Sequence, residues 1–565
     1  MTPRQFGVAL TAVVLIAIVL RGVFPAADPP WRTTVGVVWH DEGAWVHNAR
    51  NKALFGHWRL DEWNPVFIAP VFTAMEYVSF AAFGVGVRQA RLVSEAAGVL
   101  SVLLLALGLR RIAGTPAGLI AGGLLATNYV YVMYDRAAIM EALMTAFIVT
   151  SWYCSARAER EPAWGAAAGL MATLAFFTKA AAAFYLAALG LVAVARIVFP
   201  PAGGSHGTEG QEQVRPRRAA MWTLAGLALS LTAVLIVFVL PHWSDYRFYN
   251  WQMSVTRKPS YDLKSLFDRV TWFPVLHDTF TRMWAVLCLG VAGAWGVALR
   301  WRRAGDAERL LLAWVVVGTL EMLLHDVGNE RRFVFLIPAA VALATMVLAD
   351  GRVLPESAAS TPRAGLLVAA PLLVYSAYVI CGPIARLAFL YEVRRPVRLA
   401  AACAMLLAAA LVVSWPRVRL RLTRRTVGPP VALAFAAVLM SADLVQFAQW
   451  AAGRTSRNYE ASRALGRVLP PGTLVQGKLA NGLALENRIR PIFIGHGFGN
   501  YADRFQRDDV RYILTYTAPE IGYEGSQIED VLAAYPGWRV IMTFDVAETP
   551  GGHDTAALIE KRARH

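Results

Sequence analysis

The chain has 565 residues, of which 56% are hydrophobic and only 17% charged, and its mean hydropathy is +0.44. That balance excludes a water-soluble enzyme, a fibrous protein and a disordered chain, and it fits a polytopic membrane protein. The net charge of +16 comes from 55 Lys and Arg against 39 Asp and Glu. In a membrane chain such charge holds loops on the cytoplasmic side and contacts anionic membrane lipid, so no nucleic-acid partner is implied. Cys154, Cys288, Cys381 and Cys403 lie in apolar runs without CxxC spacing, which argues against a disulfide framework and a zinc site.

A spanning helix needs about 20 predominantly apolar residues. In chain order, thirteen runs meet that need, at roughly 6–24, 89–109, 114–133, 138–156, 163–179, 181–199, 219–240, 283–300, 309–325, 333–349, 364–382, 399–415 and 430–450. The first run is read as a retained helix; a cleaved signal peptide is the other reading of its short basic flank and Ala26-Ala27. A further segment, 66–83, is bounded by Asn64-Pro65 and Gly84 and carries Pro70 and Glu76, so it is expected along the interface and not across the membrane. The Arg clusters at 110–111, 157/160, 215–218, 300–303 and 417–425 are separated by even numbers of spans and therefore share one side. The positive-inside rule makes that side the cytoplasm, with the N-terminus beside it and residues 25–88 outside. The stretch 201–218 is expected to be a flexible cytoplasmic linker.

After the last span the composition becomes polar. Residues 459–468 and 527–535 have amphipathic helical patterns; 473–478, 491–494, 510–516 and 538–546 have strand patterns. This predicts a small α/β domain over 451–565, placed outside by the odd number of spans before it. No Walker loop, GxSxG elbow or HExxH motif occurs, and no internal repeat.

Ionisable residues beside apolar runs are functional candidates in a membrane chain, because burying them is costly. Four places qualify. In Trp39-His40-Asp41-Glu42-Gly43-Ala44-Trp45, the adjacent carboxylates suit a general base and a metal or hydrogen-bond partner, or a solvated acidic turn between interface tryptophans. In Tyr134-Asp135-Arg136 followed by Glu141, the Glu enters the bilayer edge among Ala, Leu and Met and needs a cation or metal beside it. Lys179 closes the fifth span, where it can neutralise a phosphate or snorkel to the interface. Arg331-Arg332 sit on the outer side against the positive-inside expectation, as an anion ligand or as partners of Glu330 or Asp326. All four places fall on one membrane face, as a single external site for an anionic lipid headgroup requires.

This order of features resembles the GT-C class of integral-membrane glycosyltransferases, and within it the bacterial aminoarabinose transferase and protein O-mannosyltransferase superfamily. The features are Asp41-Glu42 in the first external loop, an interfacial segment from near Pro65 to Phe83-Gly84, and Val87-Arg88-Gln89-Ala90-Arg91-Leu92 opening the next helix. They continue with Glu141 after the third span, Thr178-Lys179 where the family has Thr-Lys-Gly, and Arg331-Arg332-Phe333 through Pro338 where it has Arg-Tyr…Pro. The likeness covers about residues 1–350. Three positions depart from the aminoarabinose branch: Ala44-Trp45 replaces Arg-Tyr, Asn64 replaces Lys, and Ala180 replaces Gly. Those losses argue against an aminoarabinose donor and leave Lys179, Arg257, Arg331 and Arg332 as phosphate-binding cations.

The resemblance implies sugar transfer from a polyprenyl-phosphate donor to a lipid, glycan or protein acceptor at the outer face of the cytoplasmic membrane. The displacement would invert the anomeric carbon, with Asp41 as base, Glu42 and Glu141 beside it, and Arg136 and Trp45 in support. No nucleotide is implied; Glu42 and Glu141 are the candidates for holding one divalent ion. A transporter or flippase for a lipid-linked or anionic substrate is the rival class, weakened by the lack of paired broken helices at the midplane.

Overall fold

The structure, a computed structural model, describes residues 1–30, 39–199, 209–254, 262–264, 280–325, 330–350, 374, 376, 378–379, 395–414, 429–495, 497–517, 528–546 and 555–562. It is mostly helical and ends in a small sheet domain. The helices before that domain are α1 Pro3–Gly22, α2 Trp39–Trp45, α3 His47–Phe55, α4 Pro70–Phe83, α5 Val87–Ala113, α6 Thr115–Thr127 and α7 Tyr129–Asp135. They continue as α8 Met140–Ala158, α9 Trp164–Thr178, α10 Ala183–Val198, α11 Glu209–Val234, α12 Trp243–Ser254, α13 Phe280–Leu299, α14 Asp306–His325, α15 Ile337–Asp350, α16 Arg395–Ser414 and α17 Pro429–Ala452. Several of these are long and apolar enough to cross a membrane: among the described residues seven single helices qualify, and the pair α6 and α7 makes an eighth. The thirteen expected runs are not all recovered on that measure. The helix α9 has 15 residues, α14 carries Asp306, Glu308, Arg309 and Glu321, and the run at 364–382 lies almost wholly outside the described residues.

Local chemistry explains three departures from the expected elements. The third expected run is broken: α6 and α7 meet at 61° around Asn128, whose side-chain oxygen accepts from Tyr131 N at 2.9 Å. The freed Tyr129 N–H is taken by Asp443 of α17 at 3.2 Å, so the backbone at the break stays satisfied. The expected linker is helical from Glu209 onward, within α11 and despite Pro216, because Glu, Gln and Arg favour helix over coil. The Asp41-Glu42 loop is itself helical, as α2 and α3.

The helix α4 has 14 residues, a length of about 21 Å at 1.5 Å per residue, short of the roughly 30 Å hydrocarbon core. Its buried face carries Phe72, Thr73, Glu76, Ser79 and Phe80. Among the described residues both Glu76 carboxylate oxygens lack a hydrogen-bond partner, and burial, reinforced by the Glu42 charge, pushes its carboxyl well above the usual range.

The terminal domain holds α18 Arg457–Val468, β1 Leu474–Gln476, α19 Lys478–Gly482, β2 Arg490–Ile492, β3 Tyr512–Tyr516, α20 Ile528–Ala533, β4 Arg539–Asp545 and β5 Thr555–Glu560. The strand order is β2-β1-β3-β5-β4, parallel between β1 and both β2 and β3 and antiparallel between β5 and both β3 and β4. The expected strand ending at 478 stops at Gln476, because Gly477 at φ 123° turns the chain into α19. The strand β5 was not expected.

This domain is mounted on the first loop. Arg50 of α3, 1% exposed, donates to the carbonyls of Ala484 at 3.1 Å, Asn487 at 3.0 Å and Ile489 at 2.9 Å. Asp61 accepts from Phe493 N at 2.9 Å and pairs with His47 at 2.9 Å. Trp63 donates to the Ala44 carbonyl at 2.7 Å and packs its ring on Phe493 and Phe498.

Two outcomes follow from these buried groups. Arg50→Met takes a donor from three carbonyls and orphans those of Asn487 and Ile489, each costing about 1–3 kcal/mol, so it should lower the unfolding temperature and expose the 451–457 junction to limited proteolysis; unchanged digestion would contradict the mounting. For Glu76 the folded pKa lies above the unfolded one, so stability is lost as pH rises above 4.5 toward the folded value. Glu76→Gln should therefore gain stability over wild type at pH 7 and show no gain at pH 4, read from thermal unfolding at both pH values.

Candidate active site

Two charge networks adjoin where α2, α5 and α8 come together. The closed one begins with Glu42, in the first turn of α2. Arg91 of α5 grips both of its oxygens at 2.8 Å, and the Ala138 N–H reaches the same carboxylate at 2.9 Å. The spare Arg91 donor is used by the carbonyls of Pro25 at 3.0 Å and Ala27 at 2.6 Å. One turn away, Arg21 and Asp135 form a fully buried pair at 2.8 Å. A Cβ on Gly98 would lie 2.1 Å from the Asp135 oxygen, so this glycine leaves the room that the pair occupies. Arg136 closes α1 by donating to the carbonyls of Leu20 at 2.8 Å, Arg21 at 2.6 Å and Phe24 at 2.9 Å, and its guanidinium lies over the Trp450 ring.

The second network stays partly open. Asp41 follows His40 in α2; Glu141 lies in the first turn of α8, where the helix N-terminus favours a carboxylate. Lys179 caps the C-terminus of α9, where the helix carbonyls favour a cation. Arg331 comes from the 3-10 turn Glu330–Leu336. Arg331 bridges the two carboxylates, at 2.6 Å to Asp41 and 3.1 Å to Glu141, while Lys179 reaches Glu141 at 2.6 Å. Arg332 is near enough for its charge to act on both carboxylates. Side-chain exposure separates floor from mouth: Glu141 is 2% exposed, against 12% for Asp41, 11% for Arg331 and 16% for Lys179.

The structure thus brings together Asp41, Glu141, Lys179, Arg331 and Arg332 from distant parts of the chain. It sets three other candidates apart. Glu42 is an internal brace, both oxygens already held by Arg91. Arg136 is spent on the end of α1. Trp45, 8% exposed, packs on Trp63 with ring centroids 5.7 Å apart and is not an interface anchor. Arg257 lies outside the described residues.

The proposed metal ligands do not fit a divalent ion: Glu42 is neutralised by Arg91, and Glu141 by Lys179 and Arg331. Among the described residues no group of three His, Cys, Asp or Glu side chains is placed to hold a metal. Sequence reasoning assigned no role to Arg91, Arg21 or Asp135. The signal was present, since each is an ionisable residue within or beside an apolar run.

Residues 68–199 match the model of the family described as dolichyl-phosphate-mannose-protein mannosyltransferase. A sequence search of curated proteins finds no match. Among solved structures, apo ArnT from Cupriavidus metallidurans superposes with a TM-score of 0.57 at 16% identity, over 99% of this chain and 98% of that chain. The same protein bound to undecaprenyl phosphate gives 0.55 at 16% identity, over 98% of both. An Archaeoglobus fulgidus oligosaccharyltransferase tethered to an acceptor peptide gives 0.47 at 14% identity, over 91% of this chain and 69% of that one. The likeness to ArnT shows that this chain has the fold of the GT-C membrane glycosyltransferases, as the sequence resemblance implied.

The division between the two networks is testable by stability alone. Removing one partner of a buried ion pair costs about 3–5 kcal/mol, so Glu42→Gln should sharply lower the unfolding temperature. Asp41→Asn, which leaves Arg331 paired with Glu141, should lower it less. Equal losses in the two variants would erase the distinction drawn here.

Proposed function

We propose that this protein transfers a sugar from a polyprenyl-phosphate donor to an acceptor hydroxyl at the outer face of the cytoplasmic membrane. The observation that carries the reading is the bridging of Asp41 and Glu141 by Arg331, with Lys179 beside them. A base and a cationic leaving-group site are thereby held within one opening. The family match over 68–199 and the ArnT structure bound to undecaprenyl phosphate support a lipid-phosphate donor. In this reading residues 1–450 form the membrane catalytic part and 451–565 an extracytoplasmic domain. The N-terminus is cytoplasmic and α4 lies along the outer interface, which its 14-residue length suits.

Arg331, Lys179 and Arg332 receive the donor phosphate, and Arg257 is a further candidate cation. The phosphate competes with Asp41 for Arg331. As Arg331 turns to the phosphate, Asp41 loses its cation and becomes the stronger base, so donor binding switches on the residue that takes the acceptor proton. The acceptor oxygen then attacks the anomeric carbon from the face opposite the phosphate, and the configuration inverts. Cations stabilise the charge that builds on the leaving phosphate, and no general acid is needed. Glu141 keeps Lys179 and Arg331 at the correct height.

General-base catalysis contributes about 10²–10⁴-fold. Asp41→Asn should lower the rate of transfer from a lipid-linked sugar fraction by that factor. It should bind undecaprenyl phosphate as tightly as wild type or more tightly, because its rival for Arg331 is gone. Arg331→Ala should weaken undecaprenyl phosphate binding about tenfold or more, a loss of about 1.4 kcal/mol. Full transfer by Asp41→Asn would disprove the mechanism.

A further inference from the structure

The apolar span within α11 runs on to Val239 and is mostly unburied, as a lipid-facing helix is. Leu240, Pro241 and His242 alone separate it from α12, which starts at Trp243. The helix α12 therefore begins where the chain leaves the hydrocarbon. The exposed apolar surface of the span passes through Val237 and Leu240 to Trp243 without a break in exposure.

Two unlike faces make up α12. On one, Tyr249 is buried; its hydroxyl donates to the Glu62 carbonyl at 2.6 Å and accepts from the Asn64 amide at 2.7 Å. Asn250 donates to the Phe67 carbonyl at 3.0 Å, and Gln252 to the Gly497 carbonyl at 3.0 Å. These bonds tie the helix to the first loop and to the terminal domain. On the other face Trp243, Arg247 and Trp251 recur every four residues, one above another. All three are exposed, the tryptophans at 52% and 57%. Asp245, the acid of this helix, is turned aside to Arg59 at 2.9 Å, so the exposed face is positive.

A tryptophan ring left in water is unfavourable, whereas the headgroup layer takes both its apolar body and its N–H. A guanidinium between two such rings is placed for a phosphate oxygen. A protein partner would cover the same rings, but a face that continues a lipid-facing span without interruption meets the bilayer first.

We propose that α12 is a membrane-surface anchor, with Trp243 and Trp251 in the lipid headgroup layer and Arg247 between them on the phosphate of an anionic lipid. The bilayer surface then steadies the helix that holds Glu62, Asn64 and Phe67 of the first loop and Gly497 of the terminal domain. This inference needs only the membrane fold and stands apart from the glycosyl-transfer reading.

The test uses the full-length protein in nanodiscs. With its four cysteines replaced by alanine, a nitroxide on Ser244→Cys, also exposed on α12, should collide with dissolved oxygen more often than with a water-soluble nickel chelate. A nitroxide on Asp530→Cys, exposed on the terminal domain, should show the reverse. Amide hydrogen exchange over 243–254 and 60–67 should be about fivefold slower in phosphatidylglycerol than in phosphatidylcholine, the effect of one arginine at an anionic surface. Arg247→Gln should remove that difference, and Trp243→Ala with Trp251→Ala should speed exchange in both lipids. If the cysteine-free protein does not fold, the exchange comparison with Arg247→Gln, a single exposed change, decides. A Ser244→Cys label that meets the nickel chelate first, or equal exchange of 243–254 in the two lipids, overturns the anchor. Slowing by undecaprenyl phosphate that phosphatidylglycerol does not reproduce overturns it as well and assigns Arg247 to that lipid.

Discussion

The grip of Arg91 on both oxygens of Glu42 is the constraint from which the candidate site of this protein is built. A guanidinium and a carboxylate at a membrane edge are tolerable only when each satisfies the other, and this pair is satisfied completely. Its third participant, the Ala138 N–H, ties the pair to the turn that leads into α8. One salt bridge therefore sets α2 against α5 and α8 together. Asp41 is the neighbour of Glu42 in α2, and Glu141 opens α8, so the same bridge fixes the relative positions of the two carboxylates that face the opening. Adjacent acids in sequence have opposite duties: one is consumed by the frame, and the other is left at the mouth.

That division turns on exposure. The Arg21–Asp135 pair is fully buried and the Arg91–Glu42 pair nearly so, and in each the two side chains already hold one another. Arg331, Lys179 and Asp41 retain a share of their surface. They are also linked in a chain of alternating charge, in which a new anion can displace an old one without stranding a buried cation.

Much of this was legible in the sequence. The apolar runs, the α/β character of the terminal domain and the candidate residues Asp41, Glu141, Lys179 and Arg331 follow from hydropathy, periodicity and the cost of charge near lipid. The pairing of those charges was not legible, because partners such as Arg91 and Glu42 are far apart in sequence and any nearby cation would have satisfied the same rule. Asn128, which breaks the third run, looked like one polar residue in an apolar stretch; its effect depends on Asp443, more than three hundred residues later. The strand β5 is short and follows a Gly-rich stretch, and only its pairing with β3 and β4 gives it a sheet to join. The helical start of α11 was hidden by its polar composition, which reads as a linker unless helix propensity is weighed against it.

The terminal domain is bound to the membrane part by groups that resist separation. Asp28, just after α1, accepts from Thr455 at 2.7 Å and from the backbone N–H groups of Arg457 at 2.7 Å and Asn458 at 3.2 Å, and so caps the start of α18. Burial raises its carboxyl above the usual range while those hydrogen bonds pull the other way. Arg50 and Asp61 anchor the far side of the same domain. Between these anchors, α19 sits directly on Gly43. A domain fastened at both edges with its closest contact over the Asp41 helix cannot shift without carrying that helix along. The position of Asp41 is therefore shared property, set from below by Glu42 on Arg91 and from above by the outer domain, and neither part of the chain forms the site alone.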